Sequence, residues 1–283
     1  MSLLGATEIR ALAAQLDLKP AKALGQNFVI DANICRKIVK LAGVTSTDVA
    51  VEIGPGLGSL TLALLGEAAS VMAIEIDPRL ARQLPLTVKN HSEHFQNLTV
   101  INQDALQISD LPQAPTVLVA NLPYNISVPV LLHYLEKFPT IRSGIVMVQA
   151  EVADRLVAKP GSKDYGIPSV KAAWWADMSH AGSVSRSVFW PVPNVDSKLV
   201  AFIRHEPLGD EQLRLRVFTA IDSAFSQRRK MLRSALKNWL GSSEVAQKVL
   251  GKAGIDPTLR GEALVVEQFA QIARAVDQLG IGF

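Results

Sequence analysis

Short apolar runs alternate with helix-like segments through most of this chain, and that alternation is the feature that most constrains its fold. The runs have the length and β-branched content of buried strands, and they cover residues 49–53, 71–76, 98–101, 117–120 and 145–149. Helix-like segments lie between them, for example over residues 60–65 and 128–138. This pattern predicts an α/β fold with a parallel sheet flanked by helices, and a further run at residues 199–203 predicts a late strand.

A change of character near residue 205 predicts a second, smaller domain. Residues 205–210 (HEPLGD) have the composition of a linker, and the pattern beyond them is helical. We therefore expect an α/β domain over residues 1–206 and an all-helical C-terminal domain over residues 207–283. Residues 1–18 carry charges among apolar positions, which predicts an amphipathic helical extension rather than a signal peptide.

The composition indicates the size of the core, the cellular compartment and whether the chain binds a membrane or a metal. The chain has 283 residues and is 48% hydrophobic, so it can bury a large core. Cys35 is the only cysteine, which excludes an intramolecular disulfide, predicts a reducing compartment and favours a packing role over a catalytic one. No apolar run approaches the roughly 20 residues that span a bilayer, and the histidines show no metal-ligand spacing. We therefore expect a cytoplasmic monomer with no membrane contact and no metal.

The tetrapeptide Asn121-Leu122-Pro123-Tyr124 follows a predicted buried strand, and open α/β sheets bind ligands at the carboxyl ends of such strands. The Asn121 side chain offers an acceptor and a donor on one short arm. Pro123 fixes the backbone and leaves the preceding carbonyl oxygens available to a ligand, while Tyr124 offers a flat ring for stacking. These groups suit the exocyclic amine of a planar heterocycle such as adenine. The alternative interpretation is an ordinary strand-to-loop turn with a packed tyrosine.

A glycine-rich stretch, residues 52–61 (EIGPGLGSLT), lies between the first predicted strand and the first predicted helix of the sheet. Gly54 and Gly56 permit a tight turn and the close approach of a ligand to the backbone. Such a turn could hold a dinucleotide or an adenosylmethionine, although the glycine spacing departs from the usual dinucleotide fingerprint.

Acidic residues follow the next two predicted strands. Glu75 ends the second strand, where a carboxylate can accept hydrogen bonds from ribose hydroxyls. Asp77 competes for that role but precedes Pro78, a pattern more typical of a helix N-cap. Asp104 ends the third strand and suits either an adenine amino group or a helix N-cap.

Basic residues concentrate near the start of the predicted helical domain. Arg229, Arg233 and Lys237 recur at helical spacing, which predicts that they share one helical face. Such a face could follow the phosphates of a nucleic acid, and the net charge of +3 is a weak further indication of a polyanionic partner. The alternative is a solvated helix surface.

In their order along the chain, these motifs resemble those of the ribosomal RNA adenine dimethyltransferases. The likeness rests on residues 24–28 (LGQNF), the glycine-rich stretch, Glu75, Asp104, residues 121–124 (NLPY) and residues 189–197 (FWPVPNVDS). It extends from about residue 22 to about residue 273, and residues 225–230 (FSQRRK) resemble the basic signature of the small-subunit branch. At Asn194 the family is commonly basic, so this departure puts one phosphate contact in doubt.

The resemblance implies a Rossmann-like class I methyltransferase fold with S-adenosylmethionine as cofactor. Within it, Asn27 and Val29 would help close over the cofactor, Gly54 and Gly56 would line its methionine part, and Glu75 and Asp104 would bind its ribose and adenine. The residues implied to work at the target adenine are Asn121 (also a cofactor contact), Leu122, Pro123, Tyr124 and Phe189. Those implied to bind RNA are Arg228, Arg229, Lys230, Arg233 and Lys237.

The activity implied by the resemblance is dimethylation at N6 of two adjacent adenosines in a hairpin near the 3′ end of 16S rRNA, during biogenesis of the small subunit. The nearest alternative is a 23S rRNA adenine methyltransferase of the antibiotic-resistance type, which shares the catalytic motifs. A non-catalytic ribosome-assembly factor on the same fold is disfavoured by the intact residues 121–124, Glu75 and Asp104. A nicotinamide-dependent dehydrogenase is disfavoured by the glycine spacing.

Overall fold

The computed structural model of the chain describes residues 2–18 and 27–281. These residues form two compact units. The first consists of Met1–Ala153 with Met178–Arg204, and the second consists of Asp154–Asp177 with His205–Phe283. The segment 154–177 therefore belongs with the C-terminal residues, whereas the sequence predicted a single division at residue 207.

A seven-stranded sheet is the frame of the first unit. The strands of the described chain are β1 (Phe28–Val29), β2 (Val49–Ile53), β3 (Ser70–Ile74), β4 (Leu98–Ile101), β5 (Val117–Asn121), β6 (Ser143–Gln149), β7 (Ala176–Val184), β8 (Phe189–Trp190) and β9 (Ser197–Arg204). The sheet order is β4-β3-β2-β5-β6-β9-β7, and β1 pairs separately with β8. Strands β2 to β6 are parallel, while β9 is antiparallel to β6. The predicted α/β class with a parallel sheet is confirmed.

The order of the strands positions a ligand site. The chain moves outward from β2 through β3 to β4, and it then returns to the other side of β2 with β5. This reversal opens a crevice at the carboxyl ends of β2 and β5, where open α/β sheets bind ligands. The sequence pattern did not reveal β7, because most of its residues are exposed or half-buried and supply no apolar run.

Helices α1 (Ala6–Gln15), α2 (Ala32–Ala42), α3 (Ser59–Leu65), α4 (Pro78–His91) and α5 (Ser127–Lys137) belong to the first unit. Helix α4 begins as predicted, because the Asp77 side chain accepts from the Arg79 N–H and Pro78 occupies the first turn. Helix α2 carries Cys35 on its buried face. Burial raises the pKa of that thiol to about 12, which keeps it protonated and fits a packing role.

The second unit holds the remaining helices, after α6 (Ala150–Val157), which begins in the first unit. They are α7 (Ile167–Ala172), α8 (Glu211–Ser226), α9 (Leu232–Ala235), α10 (Lys237–Leu240), α11 (Ser243–Lys252) and α12 (Val266–Gln278). Two contacts explain why segment 154–177 joins them. Lys171 on α7 forms an ion pair with Asp222 on α8 at 2.8 Å, and the Tyr165 hydroxyl donates to the Leu264 carbonyl at 2.6 Å.

Candidate active site

A cavity in the first unit lies at the carboxyl ends of β2, β3 and β5. Its walls include the expected cofactor residues Asn27, Val29, Gly54, Gly56, Glu75, Asp104 and Asn121, together with Phe28, Glu52, Leu57, Gln103, Pro123 and Ile126. Residues from distant parts of the chain therefore converge where the strand order reverses. Residues 24–26 of the LGQNF motif lie outside the described residues.

The glycine-rich turn after β2 forms one wall of this cavity. Gly54 and Gly56 both have left-handed backbones, with φ of 68° and 59°, which side chains rarely adopt. A Cβ atom on Gly56 would also lie 3.0 Å from the ring of Phe28. The turn is tied to the rest of the wall through Ser59, whose hydroxyl donates to the Val29 carbonyl at 2.7 Å. The absence of side chains at these glycines therefore keeps the cavity open to a ligand.

Glu75 holds the turn from the neighbouring strand. Its Oε2 accepts from the Gly56 N–H at 3.2 Å, and its Oε1 accepts from the Asp77 N–H at 3.0 Å. The side chain is buried, and burial raises the pKa of this carboxyl. Each carboxylate oxygen can accept more than one hydrogen bond, so Glu75 can brace the turn and still accept from a ligand hydroxyl.

Glu52 is a second buried carboxyl in the same cavity, and the sequence pattern did not point to it. It is 2% exposed, and its Oε2 accepts from the Thr61 hydroxyl at 2.6 Å. Burial raises the pKa of Glu52 to about 8, and the nearby charge of Glu75 adds to the shift. The available signal was a single acid inside the otherwise apolar strand β2.

Asp104 forms the helix N-cap that the sequence offered as one of two alternatives. Its Oδ1 accepts from the Leu106 N–H at 3.0 Å, which caps the short 3₁₀ helix Ala105–Gln107. The residue also lines the cavity. The capping bond holds the carboxylate in place at the wall.

Asn121 is the last residue of β5 and faces the cavity. Its Nδ2 donates to the Asn27 carbonyl at 3.2 Å, which orients the amide group and leaves Oδ1 on the other arm as an acceptor. Leu122 is buried, and its N–H donates to the Met147 carbonyl at 3.1 Å. Pro123 lines the cavity close to Gly54. The tetrapeptide is thus a braced structure at the sheet edge.

The two aromatic residues expected at the target base have different settings. Tyr124 is half-buried, and its hydroxyl lies 2.8 Å from the Ser197 hydroxyl. Phe189 is only 1% exposed, because its strand β8 pairs with β1 and its ring packs in the core. In this structure Phe189 therefore offers no ring face to a base.

The expected RNA-binding residues lie in the second unit, and all of them are exposed: Arg228, Arg229, Lys230, Arg233 and Lys237. Arg228 is also part of the packing, since it pairs with Glu262 at 2.8 Å and donates to the Lys163 carbonyl at 2.7 Å.

The prediction that Arg229, Arg233 and Lys237 share one helical face is wrong. Helix α8 ends at Ser226, and α9 begins only at Leu232. The backbone N–H groups of Leu232 and Arg233 donate to the Leu259 and Pro257 carbonyls instead of to the preceding turn. The helix therefore breaks, and the cations are carried by a turn and two short helices.

Within residues 2–18 and 27–281, no group of three or more His, Cys, Asp or Glu side chains could bind a metal ion. Within the same residues, no helix is long and apolar enough to cross a membrane.

The fold and the site define a class I methyltransferase. In the sheet, the glycine-rich turn follows β2, acidic residues follow β3 and β4, and the NLPY tetrapeptide lies at the end of β5. The chain belongs to the ribosomal RNA adenine dimethylase family, whose model matches residues 18–278. It is therefore an enzyme that dimethylates adenine in ribosomal RNA with S-adenosylmethionine as the methyl donor.

Named relatives agree with this membership. The chain is 56% identical to the "Ribosomal RNA small subunit methyltransferase A" of Streptomyces griseus, over 96% of this chain and 94% of that protein. It is 56% identical to the protein of the same name from Leifsonia xyli, over 96% and 98%. A dimethyladenosine transferase from Plasmodium falciparum superposes with a TM-score of 0.77 at 25% identity, over 90% and 98%. The 23S rRNA methyltransferase ErmE superposes with a TM-score of 0.65 at 26% identity, over 89% and 100%.

The buried Glu52 predicts a specific dependence of stability on pH. Its pKa in the folded chain, about 8, lies above the ordinary value of 4.5, so folding retains a proton that the unfolded chain releases. Stability from this group is fully present below pH 4.5 and is lost as the pH rises towards 8. Glu52→Gln removes this term, and its melting temperature relative to the wild type should therefore rise steadily between these two pH values. Parallel melting profiles for the two proteins would show that Glu52 ionises normally.

Proposed function

We propose that this chain transfers methyl groups from S-adenosylmethionine to N6 of two adjacent adenosines in a hairpin near the 3′ end of 16S rRNA. It would act in the cytoplasm, as a monomer, on the assembling small ribosomal subunit. The observation that carries the proposal is the braced Asn121 at the crevice between β2 and β5, where a cofactor cavity and a polar tetrapeptide meet. The small-subunit assignment is supported by relatives of that name at 56% identity over 96% of the chain.

The cavity residues fit S-adenosylmethionine. Gly54 and Gly56 leave room for the methionine part, the buried Glu75 can accept from the ribose hydroxyls, and Asp104 can accept from the adenine amino group. Asn27 and Val29 line the cavity and would help close over the cofactor. When bound, the cofactor supplies an activated methyl group on a sulfonium.

Asn121 and Leu122 would act on the target amine. The N6 lone pair of adenine is delocalised into the ring, which makes the nitrogen a poor nucleophile. The Oδ1 of Asn121 and the carbonyl of Leu122 can accept one N–H each, and this geometry favours a more tetrahedral nitrogen whose lone pair points to the methyl group. Pro123 fixes the backbone between these acceptors and the ring of Tyr124. Positioning with electrostatics supplies much of the reduction in the barrier, and no strong base is needed.

The target base must leave its stack to reach these acceptors, so it is flipped out or lies in an unpaired loop. We assign Tyr124 to stack on the target base, because it is half-buried, lies three residues after Asn121, and its hydroxyl is held by Ser197. Base stacking of this kind contributes on the order of 1–3 kcal/mol. Phe189 would take part only after its ring left the core.

The exposed cations of the second unit would bind the RNA backbone. Arg229, Lys230, Arg233 and Lys237 are all exposed, so their side chains are available to phosphates. Arg228 would serve both RNA and packing, since its guanidinium already holds Glu262.

The 23S rRNA alternative has one structural argument in its favour, the similarity to ErmE at a TM-score of 0.65. Its identity of 26% is well below the 56% to the small-subunit enzymes. A non-catalytic assembly factor would not require the braced Asn121 or the buried Glu75.

Transfer of labelled methyl groups to unmodified small and large ribosomal subunits, followed by nucleoside mass spectrometry, tests the proposal. We expect N6,N6-dimethyladenosine in small subunits alone, because relatives at 56% identity carry the small-subunit name and residues 225–230 resemble the small-subunit signature. Label confined to large subunits would establish the 23S alternative. No transfer to either subunit, with cofactor still bound, would support an assembly factor.

Tyr124→Ala and Glu75→Gln should separate the two halves of the site. Loss of the Tyr124 ring removes stacking and should weaken binding of unmethylated subunits by about 5- to 150-fold, with cofactor affinity nearly unchanged. Glu75→Gln should weaken binding of the cofactor and leave binding of the subunits nearly unchanged, because a charge-assisted hydrogen bond to the ribose is lost. Calorimetry with the cofactor and sedimentation binding of subunits measure the two affinities. Equal losses of both in Tyr124→Ala would exclude a specific stacking role.

A further inference from the structure

Ser197 is a buried serine that contacts the hydroxyl of Tyr124, the residue proposed to stack on the target base. It is 0% exposed, and its Oγ lies 2.8 Å from the hydroxyl of Tyr124. It is the first residue of β9 and pairs with Gln149, the last residue of β6. Because β9 is antiparallel to β6, its first residue lies at the edge where the parallel strands end. The sheet itself thus places a fixed hydroxyl beside the target side of the cavity.

Tyr124 is held at both ends. Its hydroxyl bonds to Ser197, and its carbonyl accepts from the Ser127 hydroxyl in the first turn of α5 at 3.4 Å. Burial raises the pKa of Tyr124, so its hydroxyl remains protonated at neutral pH and can donate to Ser197. A ring fixed in this way loses little further freedom when a base stacks on it.

The chain that leads into Ser197 is braced as well. Arg186 pairs with Asp196 at 3.1 Å and donates to the Asn194 carbonyl at 3.3 Å. The Ala150 N–H donates to the Asp196 carbonyl at 2.8 Å. These bonds hold residues 194–196 against the end of β6, so Ser197 is a firm support for Tyr124.

The contact between Ser197 and Tyr124 would matter differently for the first and the second methyl transfer. Before the first transfer the amine has two N–H bonds, one for Asn121 and one for the Leu122 carbonyl. In each transfer, N6 gains the methyl carbon, the carbon–sulfur bond of the donor breaks to leave S-adenosylhomocysteine, and one proton leaves N6 for solvent. The monomethylated amine therefore has a single N–H, and one of the two acceptors can no longer hold it. Stacking must then supply a larger share of its positioning.

We propose that Ser197 is a positioning residue that fixes the ring of Tyr124, and that this hydrogen bond affects the second methyl transfer more than the first. The inference rests on the proposed function, since it needs a target adenine that is methylated twice. It extends that function by naming the contact that controls the degree of methylation.

The test uses Ser197→Ala, Tyr124→Phe and the double variant of the full chain. One readout is the ratio of monomethyladenosine to dimethyladenosine in small subunits, and the other is the affinity for unmethylated subunits with S-adenosylhomocysteine present, where no turnover occurs. We expect both single variants to raise the ratio and to lower the affinity about three- to tenfold, as for the loss of one hydrogen bond. The double variant should match the singles, because both substitutions remove the same contact.

Ser70→Ala is the matched control. Ser70 is also the first residue of a sheet strand, and its hydroxyl donates to the Gln113 side chain at 2.8 Å, but it lies at the amino end of β3. It should keep the wild-type ratio and affinity, while melting temperatures show whether each variant is folded. Tyr124→Phe keeps the test valid if Ser197→Ala unfolds.

An unchanged ratio in folded Tyr124→Phe would overturn the inference, as would additive effects in the double variant. Neither result would affect the proposed function as long as the wild type produces dimethyladenosine. Failure of the wild type to methylate small subunits would instead refute the proposed function itself.

Discussion

The hydrogen bond from the Gly56 N–H to the Glu75 carboxylate, at 3.2 Å, is the contact on which the rest of the site depends. It joins the turn after β2 to the end of β3, and it requires a carboxylate that stays buried. Gly54 and Gly56 have left-handed backbones that side chains rarely adopt, and their N–H groups donate to the Ile74 carbonyl and the Glu75 carboxylate. The same carboxylate fixes the Asp77 N–H, where α4 begins. One buried acid thus shapes the cavity wall and positions the next helix.

A second set of contacts places the target side of the site. Asn121 is held by the carbonyl of Asn27, and Tyr124 is held by Ser197. Both partners are far away in sequence. Ser197 comes to this edge because β5 and β9 flank the same strand β6, whereas Asn27 directly precedes β1, which pairs with β8. The acceptors that we propose for the amine and the ring that we propose for the base are therefore held by contacts within the protein itself, an arrangement by which enzymes gain from preorganisation.

Features set by local pattern could be predicted from the sequence. The strands at 49–53 and 98–101 match the apolar runs residue for residue, and the Asp77 cap follows from its place before Pro78. Features set by distant partners could not. Edge strand β7 has no apolar run, and segment 154–177 joins the second unit through Lys171 and Tyr165. Helix α8 ends before Arg229, and the N–H groups of residues 232 and 233 donate to the carbonyls of a remote loop. The burial of Phe189 likewise depends on the β1–β8 pair.

The central claim is that the target adenine meets the cofactor at Asn121, with its ring on Tyr124. A crystal structure of the protein with S-adenosylhomocysteine and the target hairpin RNA tests it most directly. The account predicts a flipped adenine stacked on Tyr124, with N6 about 3 Å from the Asn121 Oδ1 and the Leu122 carbonyl, and the cofactor ribose on Glu75. An adenine bound elsewhere, or a cofactor whose own adenine occupied the Asn121 acceptors, would contradict it.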